Sequence, residues 1–177
     1  MSIGKEEKSF LSLKLTYLSV LTAVAITIGI LETVIPPPVP LGGFKWGFSN
    51  SIILMILIIM GEKEGFTAAV LKVVVSNLLT GRFLGPSFFL GLGGSLSSVY
   101  MMSMLMKSKF GLIAVSVFGS FTSNLVQILL AAMLFIGSLK VFYLSGYIIG
   151  VGVFTGFLNA IIAYGGIKWM KQIDILS

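Results

Sequence analysis

The sequence predicts an all-α integral membrane protein of six transmembrane helices, with both termini on the cytoplasmic side. Three observations carry this expectation. Of the 177 residues, 56% are hydrophobic and only 10% charged, against about 25% charged in an average soluble domain. Six apolar runs follow one another with short links. The basic residues alternate between rich and poor links in the way an oriented membrane protein requires. A mean hydropathy of +1.07 at 19.0 kDa leaves more apolar surface than a soluble fold of this size can hide, so the bilayer must take the remainder.

A bilayer-spanning helix needs about 20 apolar residues. The first run is Leu15–Ile35, ended by Pro36, Pro37 and Pro38. The second is Phe44–Met60, ended by Gly61. The third, Gly65–Thr80, is short and interrupted by Lys72. The fourth is Pro86–Met106, its proline placed where a first helical turn tolerates one. The fifth, Phe110–Ile136, and the sixth, Val141–Ile167, are long enough to tilt. Links Gly61–Glu64, Gly81–Gly85, Lys107–Lys109 and Gly137–Lys140 are short, which implies antiparallel neighbours. The Pro/Gly-rich link Pro36–Gly43 reads as a structured loop. The chain is expected to be a single domain: a cytoplasmic segment 1–14, a bundle 15–170 and a cytoplasmic tail 171–177. The first apolar run is too long for a signal peptide and is followed by no cleavage site.

With the N-terminus inside, the inner side carries Lys5, Lys8, Lys14, Lys63, Lys107, Lys109, Lys168 and Lys171. The outer side carries Lys45, Arg82 and Lys140, and Lys72 lies within a span. Eight against three sets the orientation in a cell membrane, multi-pass with both ends cytoplasmic.

Cysteine and histidine are absent. That removes disulfides, thiolate nucleophiles, Ser-His triads and metal sites built on Cys or His. The charge of +6 is scattered between apolar runs, which argues against nucleic-acid binding. A reaction that holds a diphosphate through Mg²⁺ needs several carboxylates, because the ion is hard and takes oxygen ligands. This chain has one aspartate, Asp174, and its close acid pairs Glu6/Glu7 and Glu62/Glu64 fall in polar cytoplasmic segments. No enzyme, catalytic residue, metal site or cofactor is therefore expected. No G-x-x-x-x-G-K-[ST] is present, so energy from ATP would have to come from partner subunits.

The outward basic residues either snorkel at the interface or line an electropositive pocket that attracts an anion. Snorkelling suits Lys140. Lys45 and Arg82 lie in Gly/Pro-containing loops with Glu32 as the one acid near them. Lys72 sits near mid-depth, where a lysine is costly and must face a partner or water. It either pairs with Glu32 or touches substrate at the bottom of an outward cavity. Ser76 shares its helix face and Asn77 adjoins it. In the fifth run, Ser116, Ser120, Asn124 and Gln127 align on one face, bordered by Ser123. The stripe is either interhelical hydrogen bonding or a ligand-facing wall. Small residues at helical spacing (Ser87, Gly91, Ser95, Ser98 and Gly152, Gly156, Asn159, Ala163) point to close helix packing. They would also make room for a ligand within reach of Asn159. Ser19, Ala23 and Thr27 form a small-residue stripe suited to docking another helix. Phe44, Trp46, Phe83, Tyr143 and Tyr147 suit an interfacial belt or stacking on a planar ring.

The stretch Pro38-Val39-Pro40-Leu41-Gly42-Gly43-Phe44-Lys45-Trp46-Gly47-Phe48-Ser49-Asn50 resembles the proline-rich loop and K-x-G-x-x-N motif of the Gx transporter family, often labelled heptaprenyl diphosphate synthase component I. Pro86-Ser87-Phe88 with Gly93-Gly94-Ser95 is similar to that family's fourth span, and Asn124-Leu125-Val126-Gln127 to its N-x-x-Q motif. Ser123 stands where the family commonly has His. The resemblance covers roughly residues 13–170. It implies a likeness to the substrate-binding S components of energy-coupling factor (ECF) transporters, which capture a micronutrient from outside. A transmembrane T component and two ATPases then drive its release inside. Carried over, Ser19, Ala23 and Thr27 dock the T component, Pro36–Gly43 is a gate, and Lys45 and Asn50 stand at the pocket wall. The expected substrate contacts are thus Lys45, Asn50, Lys72, Asn77, Arg82, Asn124, Gln127 and Asn159, for a small, anionic organic solute. The alternative is a non-catalytic membrane subunit linked to heptaprenyl diphosphate or isoprenoid-quinone synthesis.

Overall fold

The computed structural model describes residues 3–35, 46–136 and 145–172. The described residues form six α-helices and no strand: α1 (Ile3–Leu31), α2 (Ser49–Met60), α3 (Glu62–Leu79), α4 (Pro86–Lys107), α5 (Leu112–Leu130) and α6 (Ser145–Gln172). A π-helical turn, Ala131–Ile136, continues α5. Among the described residues, four stretches are long and apolar enough to cross a membrane: Leu11–Leu31, Pro86–Lys107, Leu112–Leu134 and Gly146–Gln172. Large apolar side chains such as Leu15, Val20, Phe118, Phe154 and Ile161 stand exposed on these helices, as a lipid-facing surface requires.

The second apolar run is helical over a shorter length than the sequence suggests. Trp46–Phe48 form a turn, and α2 begins at Ser49. The cause is Gly47, whose φ of +84° lies in the left-handed region that glycine alone adopts freely. At 12 residues, α2 is about 18 Å long, shorter than a bilayer core. Beyond its first turn it is apolar all round, and it sits at the centre, touching all five other helices. Ile53, Leu54 and Ile56 are fully enclosed there, the expected place for a helix without a polar face. Ala25 of α1, Ala68 and Ala69 of α3, Val99 and Met102 of α4, Val115 of α5 and Ala163 of α6 complete this core. The helix α3 carries Glu62, Lys63, Glu64 and Lys72 in 18 residues and is the least apolar of the six.

Only Gly61 separates α2 from α3, with φ +107°. Sequence reading placed this link over four residues. The left-handed glycine lets the chain reverse in one, and α3 starts at Glu62. The reversal is clasped to its neighbours by Lys14–Glu64 and Lys107–Glu62 ion pairs. Neighbours α5 and α6 run antiparallel: Ser116 Oγ donates to Gly156 O at 2.6 Å and Asn124 Nδ2 to Ile148 O at 2.9 Å.

Candidate functional site

A polar chamber of about 40 Å³ lies in the half of the bundle opposite the N-terminus of α1. Every helix contributes to its wall: Gly29 from α1 with Glu32 just past its end, Ser49 and Asn50 from α2, Lys72, Val73, Ser76 and Asn77 from α3, Gly91 and Ser95 from α4, Ser120, Ser123, Asn124 and Gln127 from α5, and Thr155 from α6. Trp46 and Gly47 of the turn before α2 join them. The volume suits an ordered water or two. A molecule of several heavy atoms requires the walls to part.

The turn before α2 is the hub of this site. The Glu32 carboxylate accepts from Ser49 N at 2.6 Å and from Gly47 N at 3.2 Å, meeting backbone donors that the start of a helix leaves open. Lys72 Nζ donates to Asn50 Oδ1 at 2.7 Å and to Ser49 Oγ at 3.3 Å. Asn159 Nδ2 donates to Gly47 O at 3.0 Å. Thus the end of α1, α3 and α6 all hold one four-residue stretch, Gly47–Asn50. Glu32 and Lys72 are 4% and 6% exposed, so both charges are removed from solvent, and hydrogen bonding is what makes such burial tolerable. Among the described residues Glu32 is the one carboxylate on the chamber wall.

Asn77 has a fixed orientation. Its Nδ2 donates to Val73 O at 2.8 Å, which identifies Oδ1 as the outstanding acceptor. That oxygen is buried and has no partner among the described residues. A buried unpaired acceptor is costly, so the chamber offers a place for a donor group at Asn77. Gln127 Nε2 donates to Ser123 Oγ at 3.0 Å, which turns its carbonyl oxygen away from that bond.

The structure brings Asn50, Lys72, Asn77, Asn124 and Gln127 together on one chamber wall. Asn159 stands just behind it, on Gly47 O. Arg82 is exposed in the α3–α4 turn and does not line the chamber; its backbone N–H donates to Asn77 O at 2.8 Å. Lys45, Lys140, Phe44, Tyr143 and the loop Pro36–Gly43 lie outside the described residues. The α5 stripe is divided: Ser116 bonds α6, Ser120 and Gln127 line the chamber, and Asn124 does both. Ser19, Ala23 and Thr27 are exposed along α1. Their hydroxyls are turned onto their own helix, Ser19 Oγ to Leu15 O and Thr27 Oγ1 to Ala23 O, so the stripe presents an apolar face. Phe83 packs edge-on against Phe88 and Trp46 stacks on Phe48, while Tyr147 is exposed.

Sequence reading assigned Glu32 only as a candidate partner for basic residues. Its grip on the α2 start went unseen, although it is the one acid inside an apolar run. Thr155 and the π-helical turn after Gln127 carried no signal, since both depend on where neighbouring helices pass.

These features define a multi-helix membrane protein with a polar chamber among its helices. The chain belongs to the heptaprenyl diphosphate synthase component I family, whose model matches residues 21–165. No curated protein and no solved structure matches it.

Proposed function

We propose that this chain is the substrate-binding membrane subunit, the S component, of an ECF-type transporter. It captures a small polar organic solute from outside, and a transmembrane T component with two ATPases drives uptake. The observation that carries this reading is the Lys72 ammonium, buried beside an amide- and hydroxyl-rich chamber that a purely structural bundle has no need to build. The solute presents an anionic or acceptor group to Lys72 and a donor to Asn77 Oδ1. Glu32 balances the lysine's charge, so a solute with both kinds of group fits better than a bare anion. In this reading six helices span the cell membrane, both termini are cytoplasmic, and the chamber lies in the outer half. The chain itself performs no chemistry and needs no cofactor.

The family's description favours a second reading, a non-catalytic membrane partner of a prenyl diphosphate synthase. Native mass spectrometry of protein purified gently from its own host separates the two. A water-soluble metabolite with a T component and ATPases is expected. A prenyl diphosphate or quinone with a soluble prenyl synthase, and no ATPase, would replace the transporter reading by the second.

A further inference from the structure

We infer that the groove between the N-terminal end of α5 and the C-terminal half of α6 is a site for an anionic phospholipid. It lies far from the polar chamber. Its volume is about 380 Å³ and its wall is Gly111, Leu112, Ile113, Ala160, Ile161 and Tyr164. The wall is apolar except for the Tyr164 hydroxyl, which suits an acyl chain and offers nothing to a polar solute. Gly111 and Ala160 have little or no side chain, which leaves the hollow between the two helices.

The lysine-rich end of the groove supplies the headgroup chemistry. Lys109 lies two residues before Gly111, and Lys168 lies one turn beyond Tyr164 on the same face of α6. Both are exposed. Lys14 and Lys107 are held by Glu64 and Glu62, whereas Lys109 and Lys168 have no acidic partner among the described residues. Lys109 also occupies a position that favours glycine. Its φ is +59°, and Lys109 N and Phe110 N donate to Met106 O and Leu105 O, a Schellman-type helix end. A lysine there gives up backbone stability that glycine would keep. Phe110, Tyr164 and Trp169 stand exposed around the same end, the aromatic signature of the headgroup level. The phosphate thus sits between the two ammonium groups while one chain runs along the groove.

The test is lipid retention by the full chain, measured by native mass spectrometry after exchange into equal phosphatidylglycerol and phosphatidylcholine. At about tenfold per 1.4 kcal/mol, two lysines near the headgroup favour phosphatidylglycerol by roughly thirtyfold. The double variant Lys109→Gly/Lys168→Ala is expected to lose that preference. Its glycine relieves the left-handed strain, so misfolding does not explain a loss. Ile161→Trp, at an exposed groove position, is expected to lower retention of both lipids, and Lys63→Ala to change nothing. Equal retention of the two lipids, an unaffected double variant, a lipid-free homodimer, or an isoprenoid diphosphate in the groove would each overturn the assignment.

Discussion

Lys72 and Asn50 meet at 2.7 Å, joining the middle of α3 to the first turn of α2. The same ammonium reaches Ser49 Oγ at 3.3 Å. In the proposed transporter, a solute that takes the ammonium would compete with the bonds tethering the start of α2, so capture would be linked to movement of that turn. Charge-assisted hydrogen bonds contribute about 1.5–3 kcal/mol, so Lys72→Ala should weaken solute binding by roughly ten- to a hundredfold. Arg82→Ala, in an exposed turn, should change it less than about threefold, because exposed charges contribute little. Isothermal titration with the solute identified by mass spectrometry checks both. Equal, negligible effects would remove Lys72 from the site.

Glu32 should matter for stability more than any other acid. Its two oxygens accept from Gly47 N and Ser49 N. In Glu32→Gln one oxygen becomes an NH₂ donor facing a backbone N–H, so one bond is lost and a buried donor is left unpaired. The expected cost is about 1–3 kcal/mol, read as a fall in the thermal midpoint in detergent. An unchanged midpoint would mean that the carboxylate does not hold the start of α2.

Much of this was legible in the sequence, and the legible part follows from strong local signals. Four of the six expected spans coincide with span-length apolar stretches among the described residues, because hydropathy is a property of the residues themselves; α2 is too short and α3 too charged to join them. Lys72 stood out because a lysine between Val and Leu residues has few tolerable environments. The end of α1 and the start of α2 were harder. They turn on the left-handed Gly47 and on Glu32 reaching from another helix, and tertiary contacts of that kind leave no periodic trace. Asn159 was expected within reach of a ligand because the small residues beside it on the sixth run make room for one; its amide instead donates to Gly47 O, a choice that only the packing of α6 decides.

Close helix approach gives a third expectation. A Cβ on Gly156 would come within 2.8 Å of Val117 Cα and 3.1 Å of Ser116 O. Both are backbone or backbone-bound, so neither can swing aside. Gly156→Ala should cost about 1–3 kcal/mol by overpacking and also disturb the Ser116 to Gly156 bond. Gly150→Ala, with nothing within 4 Å of its Cβ, is the control on the same helix and should not lower the melting midpoint, since alanine is the better helix former.

The lysine-rich end should respond to acid. Glu62 and Glu64 lie there, outside the apolar run Gly65–Thr80. Hydrogen bonds from Lys107 and Ser103 hold the Glu62 carboxyl below its ordinary 4.5, and one from Lys14 does the same for Glu64. A depressed folded-state pKa adds stability that is fully present above the ordinary value and is lost as pH falls through the depressed one. The melting midpoint should therefore fall below about pH 4.5 and stay flat above it. The effect is small, because water and salt screen exposed pairs. The double variant Glu62→Gln/Glu64→Gln should show a shallower acid limb; an identical limb would exclude these pairs as its source.

The α1 stripe yields the last expectation. Ser19, Ala23 and Thr27 are all exposed, with both hydroxyls returned to the helix backbone, so the face is smooth, apolar and narrow. A partner helix can approach such a face closely, and its packing is lost when a ring is inserted. Ala23→Trp adds that ring at a position already open to lipid, so the bundle has no reason to rearrange. Co-purification with a T component should disappear while solute binding stays within about twofold of the parent. A complex that forms normally would show that α1 docks nothing through this face. Loss of both activities would instead place Ala23 against the chamber, contrary to its exposure.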